Sequence, residues 1–427
     1  MANVVFLLEH EEGHLLPTFQ LAKRLVARGH QVSYIGLADA AELVQRQGYP
    51  FSPIMENVFP KGSTRTLRDQ IEAAEDGEVG RPLGYSNEAV ADLFIGSLVR
   101  GEDVTAAIRT RQPDVLLISS LYPPSALVMH YRFRIPIILL TPWLRPFPKA
   151  EYSKFIEMSM LHLRGAATEL FSLIQKSEPT AKRFQDIAQR FIGMRELILC
   201  PAELDLPRPE WGPEPEVFHI EPSIELSRGR ADSFPWERLL PGRPLLYASL
   251  GSQSHEAGRE KLVAFYTAVA EAAGQLPEWQ LILSTGAVEP REITSLPETA
   301  IAARWVPQIP VLEKASVMIT HGGLGTVKEC IFHGVPMIAF PMDKDQPENA
   351  RRIVHHGLGL SGGDFVGASA GQIVSLVRLV HEDPGFARRV RRMRDRFREV
   401  EESGIGVQRI EEVLPVSARS RHEHTRA

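Results

Sequence analysis

The sequence predicts an α/β protein made of two Rossmann-like parallel-sheet domains facing each other across a cleft. Three observations carry this. Short apolar runs alternate with helical stretches. Asn3 to Leu8, Gln31 to Gly36, Asp114 to Ser119 and Pro136 to Thr141 are such runs in the first half. Leu245 to Leu250, Trp279 to Ser284, Val317 to Thr320 and Met337 to Phe340 are their counterparts in the second. Runs without alternation mark strands buried on both faces, as in parallel sheets. A proline-dense stretch from Pro201 to Pro244 divides the halves, and such segments make extended connectors. Finally, His321-Gly322-Gly323-Leu324-Gly325-Thr326 follows a strand and opens a helix. A helix N-terminus at the carboxyl end of a parallel strand is an anion site, because free N–H groups and the dipole face the ligand. The expected anion is a phosphate or diphosphate.

In chain order, the first strand is followed by a loop, Glu9 to His14, and a helix from Leu15 to Ala27 that Gly29 ends. A second strand and a helix from Ala38 to Gln47 complete a βαβ start. From Phe51 to Gly101 the periodicity blurs, and Gly77, Gly80, Pro82 and Gly84 suggest a loop-rich insertion. Order returns at Pro113, with a helix from Ser125 to Phe133 and mostly helical chain from Glu151 to Gln189, then a strand from Glu196 to Cys200. The second half places helices near Gly258 to Ala273, Ala370 to His381 and Phe386 to Glu402. The expected domains are residues 1–222 and 223–404, with 405–427 a closing helix and tail. Arg388 to Arg398 reads as the basic face of an amphipathic helix.

Composition sets the class. The chain has 427 residues, 44% hydrophobic and 24% charged, and a formal net charge of −5. That balance gives no general attraction to nucleic acid or anionic membranes. Two cysteines, Cys200 and Cys330, lie in apolar runs and read as buried thiols, not a disulfide framework. No apolar segment approaches the roughly 20 residues of a membrane span, and glutamates interrupt the N-terminal apolar run as they would not in a signal peptide. A reduced, cytoplasmic protein, monomer or homodimer, is expected.

The stretch from Trp305 to Asn349 resembles the donor signature of family 1 glycosyltransferases, which move sugars from nucleotides to small molecules. Trp305 and Gln308 open it. His321 and the glycines, Thr326, Glu329, Gly334-Val335-Pro336, Asp345-Gln346 and Asn349 follow in the same order. A lone glycine-rich turn is weak evidence; this many residue types in one order is specific. The resemblance implies the GT-B fold, with acceptor bound by the first domain, donor by the second, and a last helix, here Ile405 to Leu414, crossing back.

It also implies roles. Gly13-His14 matches the loop of the catalytic base, and a histidine near neutral pKa suits removal of a hydroxyl proton. His10 is a nearby competitor, and His30 reads as a helix-end residue. The aspartate that orients the base in the family falls on Ser120 here. Serine can accept a hydrogen bond but supplies no charge, so Glu11 or Glu12 is expected to serve, or the site is degenerate. On the donor side Trp305 would stack on the base, with Val306 and Gln308 beside it, and Glu329 would hold the ribose hydroxyls. Ser252, His321, Gly323, Gly325 and Thr326 would meet the diphosphate without metal, and Asp345 and Gln346 the sugar. Asn349 reads as structural support. Asp343-Lys344-Asp345 is set aside as a metal motif because it overlaps that sugar pair.

The expected reaction is inverting transfer of a hexose, glucose first, from a UDP-sugar to a hydroxyl of a small apolar natural product such as a polyketide or macrolide. No further cofactor is implied, and UDP-glucose is favoured over a dTDP-deoxysugar. Two rivals stand: a glycosyltransferase acting on a lipid or cell-wall intermediate, and a non-catalytic partner that binds sugar nucleotides, which Ser120 keeps open. A dinucleotide oxidoreductase is disfavoured because no G-x-G-x-x-G follows the first strand.

Overall fold

The structure, a computed structural model, describes residues 1–63, 88–163, 165–180, 184–226, 234–252 and 258–415. The expected insertion markers Gly77, Gly80, Pro82 and Gly84, the loop residues Gln253 and Ser254, and the tail from Ser417 lie outside these. The chain forms two compact units. The first takes Met1–Cys200, Arg208–Ser223 and the segment that begins at Gly404; the second takes Pro201–Pro207 and Ile224–Ser403.

In the first unit, strands β1 (Asn3–Leu7), β2 (Gln31–Gly36), β3 (Phe51–Pro53), β4 (Val115–Ser119), β5 (Ile137–Thr141), β6 (Arg195–Ile198) and β7 (Val217–His219) form one sheet ordered β3-β2-β1-β4-β5-β6-β7. Every pairing is parallel. β4 and β5 are buried at every residue, as a sheet covered on both faces demands. Alternate residues feed two cores. Val5, Leu7, Leu116 and Ile118 pack with the helices at 88–111, 123–133 and 152–192. Val4, Phe6, Val115 and Leu117 pack with Leu15, Phe19 and Leu25 of the Glu12–Ala27 helix. That second core also takes Val407, Ile410 and Leu414 from beyond Gly404. Each such burial contributes about 1.5–3 kcal/mol. The Gly406 amide donates to Glu221 Oε2 at 2.8 Å, and Glu411 receives both Arg28 and His30.

In the second unit, β8 (Leu245–Ser249), β9 (Gln280–Ser284), β10 (Ile301–Ala303), β11 (Val317–Thr320), β12 (Met337–Ala339) and β13 (Gly359–Ser361) form a parallel sheet ordered β10-β9-β8-β11-β12-β13. The proline-dense connector is divided between the units for a local reason. Arg352 donates to Asp205 at 2.9 and 2.8 Å, and His356 donates to the Leu204 carbonyl at 3.0 Å. These bonds hold Pro201–Pro207 in the second unit.

Three readings are corrected. The region before Gly101 is not all loop. A helix at Glu88–Arg100 buries Ala91, Ile95 and Leu98 at helical spacing, and a second runs over Glu102–Arg111. Gly96 and Gly101 masked both, although Gly101 serves as the N-cap of the second. The short outer strands β3, β7, β10 and β13 were too brief to show a period. The helix expected from Leu15 starts at Glu12. Glu11 has extended backbone at the cap, and the His14 and Leu15 amides both donate to its carbonyl, at 3.0 and 3.1 Å. Glu12 suits the positive end of the helix. His14 therefore stands in the first turn of a helix, not in a loop.

Candidate active site

In each sheet the strand order reverses at one place, and there the carboxyl ends leave a crevice. In the second unit this lies between β8 and β11, where Ser249 pairs with Thr320. The chain leaves β8 into Gly251 and β11 into His321. A Cβ at Gly251 (φ 81°) would stand 2.6 Å from His321 Cε1, and one at Gly323 would stand 2.4 Å from Nε2. Only glycines let the two turns close on the imidazole. His321 Nδ1 is buried and makes no hydrogen bond among the described residues. Burial, helped by the charge of Lys344, pushes the ring down to about 4. His321 is therefore neutral near pH 7 and keeps one N–H to donate.

The Leu324–His333 helix starts immediately after, with Gly323 at its cap and no side chain capping it. Gly325 is exposed and Thr326 half-buried on its first turn. Ser252 is exposed beyond β8. One turn further, Glu329 is 8% exposed, so it is not a solvated helix glutamate. Gln308 gathers this side of the crevice. Its Nε2 donates to Glu329 Oε2 and, at 3.4 Å, to Thr326 Oγ1, while its Oε1 accepts from the Tyr247 hydroxyl at 3.2 Å. Trp305, just past β10, is 65% exposed. Val306 beside it is half-buried.

The Asp345-Gln346 pair is held by its own loop and by Asn349. Gln346 is buried, and its Oε1 accepts from the amides of Met342 and Asp343 at 2.8 and 3.3 Å. Its Nε2 donates to Asp343 Oδ1 at 3.0 Å. Both ends of this amide thus hold the loop together. Asp345 Oδ2 accepts from Asn349, which also donates to the Gly322 carbonyl at 2.9 Å. Asn349 ties the 341–346 loop to the glycine turn, a supporting role. No three His, Cys, Asp or Glu side chains among the described residues are grouped to hold a metal ion.

In the first unit the reversal lies between β1 and β4, where Leu7 pairs with Ile118. His14 Nδ1 lies 3.1 Å from Glu9 Oε2 and 3.9 Å from Glu11 Oε2. The indole of Trp143 lies alongside, ring centres 5.7 Å apart. Glu12 is exposed, and His10 is turned to Glu11 at 3.7 Å. Glu9 was missed from sequence. Burial alone would raise its carboxyl, but His14 and a hydrogen bond from Ser119 hold it below the usual carboxylate range.

Ser120 does not meet the expectation of a group orienting His14. It is fully buried, and its hydroxyl is 2.7 Å from Thr141 Oγ1, which donates to Glu196 Oε1 at 2.6 Å. Glu196 also faces Arg145, whose guanidinium makes two bonds to Glu214. Neighbouring strand residues point to opposite faces, and it is Ser119, not Ser120, that helps to lower the Glu9 carboxyl.

Residues 242–393 match the family described as UDP-glucoronosyl and UDP-glucosyl transferase. The chain is 26% identical to the oleandomycin glycosyltransferase of Streptomyces antibioticus over 96% of its length and 90% of that protein. It is 25% identical to the demethyllactenocin mycarosyltransferase of Streptomyces fradiae, with 98% and 88% covered. Among solved structures it resembles the glycotransferase of kitacinnamycin, with a TM-score of 0.72, 26% identity and 97% and 99% covered. With its two parallel sheets and its donor-half residues in family order, the chain has the GT-B fold, and its second half matches the UDP-glucoronosyl and UDP-glucosyl transferase family.

Proposed function

We propose that this transferase moves a hexose, glucose first, from a UDP-sugar to a hydroxyl of a small apolar natural product of the polyketide or macrolide kind, with inversion at the anomeric carbon. His14 takes the hydroxyl proton. The oxygen attacks the anomeric carbon as the bond to the diphosphate breaks, so an α-linked donor yields a β-glycoside. The diphosphate leaves toward the uncapped helix at Leu324, His321 and Thr326, with Ser252 beside them. No cofactor beyond the sugar nucleotide is required. Preorganised donors of this kind stabilise charge where it develops.

The observation that carries this reading is the Gln308–Glu329 pair, with the exposed indole of Trp305 just before Gln308 in the chain. An aromatic face followed by a buried carboxylate and an amide fits a base stacked on the ring and a ribose gripped by two acceptors. A carboxylate there favours a ribose with both hydroxyls, hence UDP. Relatives that act on oleandomycin and demethyllactenocin support an acceptor of the macrolide kind. Ser120 is the ground for a non-catalytic partner, and Glu9 3.1 Å from His14 supports the enzyme instead. Mass spectrometry of products from UDP-glucose and dTDP-sugars offered with mixed polyketide and phenolic acceptors tests this. A UDP-hexose adduct is expected. Adducts only with dTDP-sugars overturn the donor, and no adduct with any pair overturns the enzyme.

A further inference from the structure

We propose that Glu9 is the positioning residue of His14, replacing from the end of β1 the carboxylate that Ser120 at the end of β4 does not supply. This rests on the reading of His14 as the base. The geometry has three parts. β1 and β4 are adjacent and parallel, so the residues that follow them emerge side by side. Glu9 is the second residue past β1, and its side chain is only 11% exposed. The start of the next helix at Glu12 turns His14 back over it, bringing Nδ1 to 3.1 Å. A carboxylate removed from water costs several kcal/mol unless it is paired, and the partners here are the imidazole and the Ser119 hydroxyl.

Other charged groups near the ring are weaker candidates. Glu11 lies 3.9 Å from Nδ1, is more exposed, and is shared with His10. Glu12 points to solvent. Trp143 covers part of the ring without charge.

The chemical consequence follows from the two ring nitrogens. With the charge of Glu9 3.1 Å from Nδ1, that nitrogen is favoured to carry the proton, and the neutral ring presents the lone pair of Nε2. In transfer the acceptor O–H bond breaks and an Nε2–H bond forms. The oxygen gains its bond to the anomeric carbon, and the diphosphate takes the electrons of the bond it leaves. The proton stays on His14 and passes to water after product release. Glu9 keeps its charge throughout and steadies the imidazolium.

Nitrogen-15 NMR titration of His14 in the ligand-free protein tests the pairing without any acceptor. In the wild type the neutral ring is expected as the Nδ1–H tautomer. Glu9→Gln should lower the His14 midpoint by about one unit and move the acidic limb of the kcat/KM profile down with it. It should reduce kcat about ten- to a hundredfold and leave the KM for donor near wild type. Glu9→Asp should recover part of both. Glu11→Gln should move the midpoint less than Glu9→Gln. An Nε2–H tautomer in the wild type overturns the inference even if Glu9→Gln does not fold, and so does an unmoved midpoint in a folded Glu9→Gln. If the midpoint moves as expected while His14→Ala still turns over, the pairing stands and the base assignment fails.

Discussion

His14 and His321 both lie near the reversal of a sheet, His14 in the first turn of the helix after β1 and His321 directly after β11, and their surroundings are opposite. His14 is half-buried and faces the carboxylates of Glu9 and Glu11. His321 is clamped between two glycines, has no carboxylate against it among the described residues, and feels the positive charge of Lys344. Carboxylates favour the imidazolium, so the first ring is suited to take a proton. Burial and a nearby cation disfavour it, so the second remains a neutral donor. In the proposed function one residue type is thus the base in one unit and a hydrogen-bond donor in the other, and the neighbours decide which.

The largest break in this comparison is His14→Ala. General-base catalysis contributes about a hundred- to ten-thousandfold, and transfer should fall by that order. UDP affinity should stay near wild type, because every residue placed on the nucleotide belongs to the second unit. Turnover close to wild type would remove His14 from the base role.

Glu329→Ala comes next and probes the donor side alone. Deoxyribose lacks the 2′-hydroxyl, so one of two bonds to Glu329 is missing with dTDP. A charge-assisted hydrogen bond is worth roughly 1.5–3 kcal/mol, about ten- to a hundredfold in affinity. The substitution should narrow the preference for UDP over dTDP by up to that factor. Calorimetric titration of both nucleotides into both proteins measures it. Equal weakening of the two would show that Glu329 does not read the 2′-hydroxyl, and a wild-type preference for dTDP would reverse the donor assignment.

The two units also differed in how far they could be read from sequence. The donor side comes from one continuous stretch, and strand, turn and helix place its residues by local rules. Thr326 and Glu329 share a helix face because 3.6-residue periodicity and one βα turn put them there, and the short helix that begins at Gln308 brings its amide to both. The base side is assembled from distant pieces: Glu9 and His14, Ser119, Trp143. Its reading depended on whether His14 lay in a loop or a helix, and the sequence was read as a loop from Glu9 to His14. Starting the helix at Glu12 selects Glu9 over Glu11 and Glu12, and no local pattern announced that. The set of Thr141, Arg145, Glu196 and the half-buried Glu214 was equally out of view, since its members lie far apart in the sequence. Gln346 shows the converse: the residue matches the family pattern, but its amide is engaged by its own loop.

A smaller effect concerns His321 and acid. Its pKa is depressed in the folded state, from the ordinary 6.5 to about 4. The unfolded chain therefore binds the proton more readily. The contribution to stability is fully present above about pH 6.5 and is lost as pH falls through 6.5 toward 4. At pH 5 the loss is roughly 2 kcal/mol. His321→Gln, which cannot titrate, should lose less stability than the wild type between pH 7 and 5, measured by urea unfolding at each pH. Parallel losses would mean that His321 is as easily protonated in the fold as out of it, and the contrast with His14 would disappear.

The smallest expected effect is that of a chelator. The groups placed on the diphosphate are a neutral imidazole, a threonine hydroxyl and the amides of an uncapped helix, with Lys344 near enough to act on His321. All of these are donors or cations, and they complement an anion directly. The two nearby carboxylates already have partners: Asp343 accepts from Gln346 and Asp345 from Asn349. An ion bridging to either would have to replace those bonds and loosen the loop they hold. Turnover in excess chelator should therefore stay within about twofold of the untreated enzyme, since preorganised donors carry the developing charge. Complete loss, restored by magnesium or manganese, would mean that Asp343 or Asp345 leaves its loop partner to hold an ion, and that the neutral state of His321 is not what the leaving group relies on.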